Sequence, residues 1–123
     1  MAKTTTQTTT QIPDDVRQYI PEILDALKRA LATGDFEITI VYDNVTIKIP
    51  DIKVYLYDNL MRVIYKDIHI IYSNYSATVK VYKDPYGDPE VYHAHDYWVQ
   101  LDEIHGLAIE KVKSRLEKIL NQF

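Results

Sequence analysis

Two histidines, His93 and His95, stand one residue apart in the run VYHAHDYWVQL, Val91 to Leu101, ahead of Asp96, Tyr97 and the single tryptophan, Trp98. On an extended strand they face the same way, about 7 Å apart by strand rise, so both imidazoles can reach one ion. Such donors suit zinc, manganese, iron or nickel. A third ligand has to come from His69, His105 or a loop carboxylate, because Asp96 falls on the opposite face of a strand. Two donors alone hold zinc weakly, so the expectation is a protein without a cofactor and without stoichiometric metal.

The spacing is similar to the His-hydrophobe-His pair of rolling-circle replication nucleases, with Ala94 at its centre. That resemblance implies metal-dependent phosphodiester cleavage by His93 and His95, a reaction that needs a nucleophilic tyrosine on a following helix. Residues 102–123 contain no tyrosine. A metallo-β-lactamase-type site wants an acid four residues after its first histidine, where this chain has Tyr97. With glycine only at positions 34, 87 and 106, neither a P-loop nor a dinucleotide fingerprint can be written, and the absence of cysteine excludes thiolate chemistry. The residues favour a non-enzymatic binding module over a phosphodiester-cleaving enzyme.

A second group of residues offers binding rather than catalysis. Between Phe36 and Tyr82 the chain alternates apolar residues with tyrosines and cations. One set, Phe36, Ile38, Ile40, Val45, Ile47, Ile49, Ile52, Val54, Leu56, Ile68, Ile70, Val79 and Val81, is assigned to a core. The other carries Glu37, Thr39, Lys48, Lys53, Tyr55, Tyr57, Arg62, Lys66, His69, Lys80 and Tyr82, with Arg62 and Lys66 placed outward because they are charged. Five cations against one acid, interleaved with tyrosine, suit a single-stranded nucleic acid whose bases stack and whose phosphates meet Lys and Arg. Val41, Ile64 and Ile71 on the same face favour a protein partner or a second copy, which is the expected role of the face, with single-stranded nucleic acid as the alternative. A plain solvated face would also select Thr, Tyr and Lys.

These residues need a sheet to hold them. Short β-branched, tyrosine-rich runs from Phe36 onward are separated by Asp43-Asn44, Pro50-Asp51, Asp58-Asn59, Lys66-Asp67 and Ser73-Asn74. Asn and Asp close tight turns, and Asn44, Asn59 and Asn74 recur every fifteen residues. An antiparallel meander of six to seven strands follows, ending in one long strand through residues 91–101 that puts Tyr92 and Trp98 opposite the histidines. Ahead of it, IPDDVRQYIPEILDALKRALATG reads as a helix with Pro13, Asp14 and Asp15 in the first turn, a kink or restart at Pro21 and a stop at Gly34. After it, Ile109, Val112, Leu116, Ile119 and Phe123 form the stripe of a C-terminal helix. The expected class is α+β, with both helices on one sheet face.

Residues 1–11, including TTTQTTT, are expected to be a disordered arm, and residues 12–123 a single domain. Tyrosine-rich face and helical stripe together predict a homodimer. No apolar run approaches the ~18 residues of a membrane span, which gives a soluble, cytoplasmic expectation. The formal charge of −4 argues against wholesale duplex binding. The cysteine-free Ile, Tyr and Lys-rich composition suits a viral or mobile-element accessory protein of a thermophile.

Overall fold

Two-residue turns set the architecture, which a computed structural model describes for residues 12–57, 60–83 and 87–121. Seven strands follow one another as a meander in the order of the chain: β1 Glu37–Val41, β2 Asn44–Ile49, β3 Ile52–Tyr57, β4 Leu60–Tyr65, β5 Ile68–Ser73, β6 Ala77–Val81 and β7 Glu90–His93. Every neighbouring pair is antiparallel. Strands of four to six residues, joined by short connections as far as β6, make this the least costly pairing, since each strand closes on the one before it.

The turn chemistry differs from the expected asparagine pattern. Left-handed backbone sits at Tyr42 (φ 55°), Asp51 (φ 68°) and Lys66 (φ 54°). Pro50 followed by Asp51 has the φ signs of a type II turn. Asn44 is instead the first residue of β2, opposite Val41. Asn74 lies in a wider connection in which Ser73 Oγ accepts the backbone N–H groups of Tyr75 and Ser76, at 3.2 Å each. The Asp58-Asn59 turn lies outside the described residues, as do the 1–11 arm and Phe123.

The helices cover one face. α1 (Asp14–Arg17) and α2 (Tyr19–Thr33) are separated at Gln18, not at Pro21. Pro21 has no N–H to give the Arg17 carbonyl, so the interruption falls one turn before the proline. Gly34 closes α2 with φ 85°, its N–H donating to the Ala30 carbonyl at 2.9 Å. Val16, Ile20, Ile23, Leu24 and Leu27 are buried against the inner strand residues, among them Ile47, Val54, Val63, Ile70 and Val79. Every core position assigned by alternation within the strands lies on this face, although Ile40 at its rim stays 38% exposed.

The long terminal strand is the principal correction. β7 ends at His93, residues His95–Tyr97 form a 3₁₀ turn, and helix α3 runs from Trp98 to Leu120. Ala94, fully buried, is the pivot: its N–H donates to the Ala77 carbonyl at 2.8 Å while its own carbonyl accepts the Tyr97 N–H at 3.0 Å. The alternation of VYHAHDYWVQL is therefore two elements in series, and Trp98 packs on Tyr72 with ring centroids 4.9 Å apart. The buried stripe of α3 is Leu101, Ile104, Ala108 and Val112; of the described members of the expected stripe, only Val112 is buried. Ile109 is partly buried, whereas Leu116 is 40% exposed; the Ile119 side chain lies outside the described set.

Candidate nucleic-acid interface

The register arranges the helix-free face in rows. One row runs Glu37, Lys48, Lys53, Ile64, His69, Lys80 and Val91 from β1 to β7. The next runs Thr39, Thr46, Tyr55, Arg62, Ile71, Thr78 and His93. Beyond it, Tyr57 stands opposite Leu60, while Val41 faces Asn44 and Leu60 faces Ser73. Within each row, cross-strand neighbours on one face are about 5 Å apart, close enough to act on a single ligand.

Four of the expected cations, Lys48, Lys53, Arg62 and Lys80, share this surface. Lys48 and Lys53 are directly opposite each other, an arrangement that is repulsive in the absence of a counter-charge. Ion pairs among the described residues join Arg17 to Asp14, Lys28 to Glu103, Lys66 to Glu22 and Lys83 to Glu90. None of them takes a cation from the two rows. Arg62 is half-buried at the centre, and its Nε is enclosed without a hydrogen-bond partner. His69 reports the same field: partial burial first, then the positive charges of Arg62 and Lys80, hold its pKa below the ordinary histidine value.

Lys66 stands at the rim of this surface, where it lines a cleft with Lys48, Lys53 and Ile64, but its ammonium turns to the helix side. It occupies the left-handed position of the β4–β5 turn, and its Nζ lies 4.8 Å from the Tyr19 ring centroid and 5.0 Å from that of Tyr65. Glu22, 3.9 Å away, completes a cluster on the helix-covered side. A turn residue belongs to neither face of the pleat, so its charge did not fix its direction. Its pKa is raised, first by a hydrogen bond with Tyr65.

The aromatic groups gather with the cations. Tyr55 and Tyr57 alternate outward along β3 and are half-exposed. Tyr82 follows β6 and stacks obliquely on His69, with centroids 4.7 Å apart. Its N–H donates to the Asp67 carbonyl at 2.8 Å, which anchors it to the β4–β5 turn. The threonines Thr39, Thr46 and Thr78 complete the second row, and strict alternation predicts Thr46 and Thr78 as surely as it does Tyr55.

His93 and His95 are exposed, with ring centroids 5.7 Å apart, even though His95 has left the strand. Neither of the third imidazoles joins them. His69 lies on β5, two strands from β7 and in the other row. His105 stands on the helical side, 5.6 Å from Tyr72. Among the described residues no group of three His, Asp or Glu side chains is placed to share an ion.

A cluster that the sequence did not announce lies where α3 crosses β5. The Tyr72 hydroxyl donates to Asp102 Oδ1 at 2.7 Å, with Trp98 and His105 against the ring. Burial, reinforced by that hydrogen bond, pushes the Tyr72 pKa up to about 12. This is an anchor between helix and sheet, and only the i, i+4 spacing of Trp98 and Asp102 hints at it. Among the described residues no helix is long and apolar enough to cross a membrane.

Comparison with protein-family models, with curated proteins and with solved structures finds no match.

Proposed function

We propose that the protein is a non-enzymatic binding module that holds single-stranded nucleic acid on the open face of its sheet. The observation that carries this reading is the set of cations in two adjacent rows, Lys48, Lys53, Lys80 and Arg62, none of which forms an ion pair among the described residues, with Glu37 opposite Lys48 as the one acid in those rows. The chain as a whole is acidic, so concentrating unpaired positive charge on one surface costs repulsion that an anionic ligand relieves. Tyr55 and Tyr57 stand on one strand at i, i+2, about 7 Å apart, and offer successive ring faces to unstacked bases. Bases stack without sequence discrimination, and phosphates meet the flanking ammonium and guanidinium groups. A duplex is a poorer fit, because a flat sheet face presents nothing that enters a groove.

A protein partner is the second reading, favoured by Ile64, Ile71 and Leu60 among the cations. It requires an acidic surface on the partner. Two copies meeting through this face are disfavoured, since it would bring Lys48, Lys53, Arg62 and Lys80 of both into one interface with only Glu37 as counter-charge.

The deciding experiment is a fluorescence-anisotropy titration of a labelled 15-nucleotide oligothymidylate, with labelled poly-glutamate as control. Saturable binding of the oligonucleotide that is lost in Tyr55→Ala supports the stacking role. Equal binding of both polymers, unchanged by Tyr55→Ala, reduces the face to a generic polyanion surface and refutes the nucleic-acid reading.

A further inference from the structure

The two edges of the sheet are built differently. β7 is four residues long, is preceded by Pro89, and has Glu90 tied to Lys83 at 3.0 Å. Short length, proline and charge are the usual protections of an edge. β1 has only one of them, the charge of Glu37 at its first position. Glu37–Val41, EITIV, is a regular five-residue strand with four β-branched residues and without proline, lysine or bulge, and four of its five residues are exposed. At its end Ile40 and Val41 are 38% and 53% exposed.

Helix α3 leaves the molecule at this edge. It starts beside Ala94, passes Tyr72 of β5 at Asp102 and His105, and reaches Phe36, just before β1, where Lys111 Nζ lies 5.2 Å from the ring centroid. Val112 is the last buried residue of α3 among those described. Lys113 to Lys118 are all exposed, and six consecutive positions sample every side of a helix. None of the described residues covers this segment. Leu116 on it and Leu120 just beyond it are nonetheless apolar, 40% and 69% exposed. From Lys113 to Leu120 the helix extends about 12 Å, enough to span about two strands of an adjoining sheet.

From these features we infer that two copies of the chain join edge to edge through β1, with the projecting end of each α3 lying on the other's sheet. In an antiparallel pair centred on Thr39, Ile38 stands opposite Ile40 of the partner subunit. Each α3 departs over Phe36, close to Ile38, and so arrives above the exposed Ile40 of the partner subunit. Leu116 and Leu120 supply the apolar cover that this residue lacks within its own chain. Charge selects the same arrangement. Residues 35–47 hold three acids, Asp35, Glu37 and Asp43, and no base. Residues 111–120 hold Lys111, Lys113, Arg115 and Lys118 against the single acid Glu117. Asp43, in the turn next to Ile40, is the acid that the projecting helix meets first. The contact is isologous and closes on itself, so it yields a dimer rather than a fibre. It leaves the cationic face of each copy free, and sets the two side by side.

The test is mass by light scattering or sedimentation at about 50 µM, a concentration at which a dimer with a micromolar dissociation constant is nearly complete. The wild type should have twice the 14.4 kDa chain mass. Thr39→Lys places like charges opposite each other on the two-fold axis, and Lys113→Glu with Arg115→Glu reverses the helix charge. Both alter exposed positions, so helix and sheet content should persist by circular dichroism while the mass falls to that of one chain. Adding Asp43→Lys to the helix double variant should restore the dimer. A monomeric wild type overturns the inference, and so does a dimer that withstands both sets of substitutions.

Discussion

The salt dependence of oligonucleotide binding is the sharpest quantitative consequence of the open face. If Lys48, Lys53, Arg62 and Lys80 each neutralise one phosphate, four counterion equivalents are released. For a single strand the slope of log K against log salt is about −0.7 per contact, or about −2.8 in total. Raising monovalent salt from about 50 to 200 mM should then weaken binding about fifty-fold. Lys53→Ala removes one contact and should bring the slope to about −2.1, with affinity falling at every salt concentration. Lys66→Ala provides the internal control, because its ammonium sits over Tyr19 and Tyr65 on the opposite side of the sheet. It should leave the slope at the wild-type value. Anisotropy titrations at four salt concentrations measure all three slopes. A wild-type slope near zero, or equal losses for Lys53→Ala and Lys66→Ala, would refute the assignment of the phosphates to the two rows.

Further consequences concern the aromatic groups. Tyr55→Ala should cost about 1–3 kcal/mol of oligonucleotide binding without altering the salt slope, since stacking releases no counterions. His69, held below its ordinary pKa by burial and by Arg62 and Lys80, is neutral at pH 7.5. Bound phosphate should raise that pKa, so binding tightens as pH falls toward 5.5, and His69→Gln should flatten the profile; two-dimensional NMR of the ring protons reads the shift directly. Without ligand the sign is opposite for stability. The unfolded chain takes up the proton first, so folding stability drops as pH falls below about 6.5 and levels off beneath the depressed folded pKa. Tyr72 behaves as a raised group: the folded state keeps its proton to about 12, so stability is intact below pH 10 and declines between 10 and 12. Tyr72→Phe should lose about 1–2 kcal/mol in urea denaturation, through the hydrogen bond to Asp102, and should make the alkaline decline shallower, with Tyr65 and Tyr92, whose pKa values are also raised, supplying the rest.

Much of the fold is local chemistry and could be read from the chain. Period-two alternation from Phe36 to Val81 assigned Ile47, Val54, Ile70 and Val79 inward and Lys53, Tyr55, His69 and Lys80 outward, and the register agrees. Alternation carries this information because a strand has only two faces, and burying one of them penalises a slip by a single residue. Gly34 marked the end of α2 because its left-handed backbone favours glycine. What the pattern could not decide was everything that depends on a third dimension. Lys66 stands at a turn, where the pleat no longer defines a side, and only the arrival of α2 drew its ammonium to Tyr19 and Glu22. The run Val91–Leu101 alternates well enough for one strand, yet Ala94 is enclosed against Ala77 and the chain bends there into α3. A small residue beneath a packed sheet permits that bend, and the burial of Leu101 and Ile104 stabilises the helix beyond it. The exposed end of α3 is likewise a tertiary fact. Its stripe continues through Leu116 and Leu120, but the sheet that would cover it ends at β1. Sequence determines which residues want burial; only the extent of the surrounding structure decides which of them obtain it within one chain.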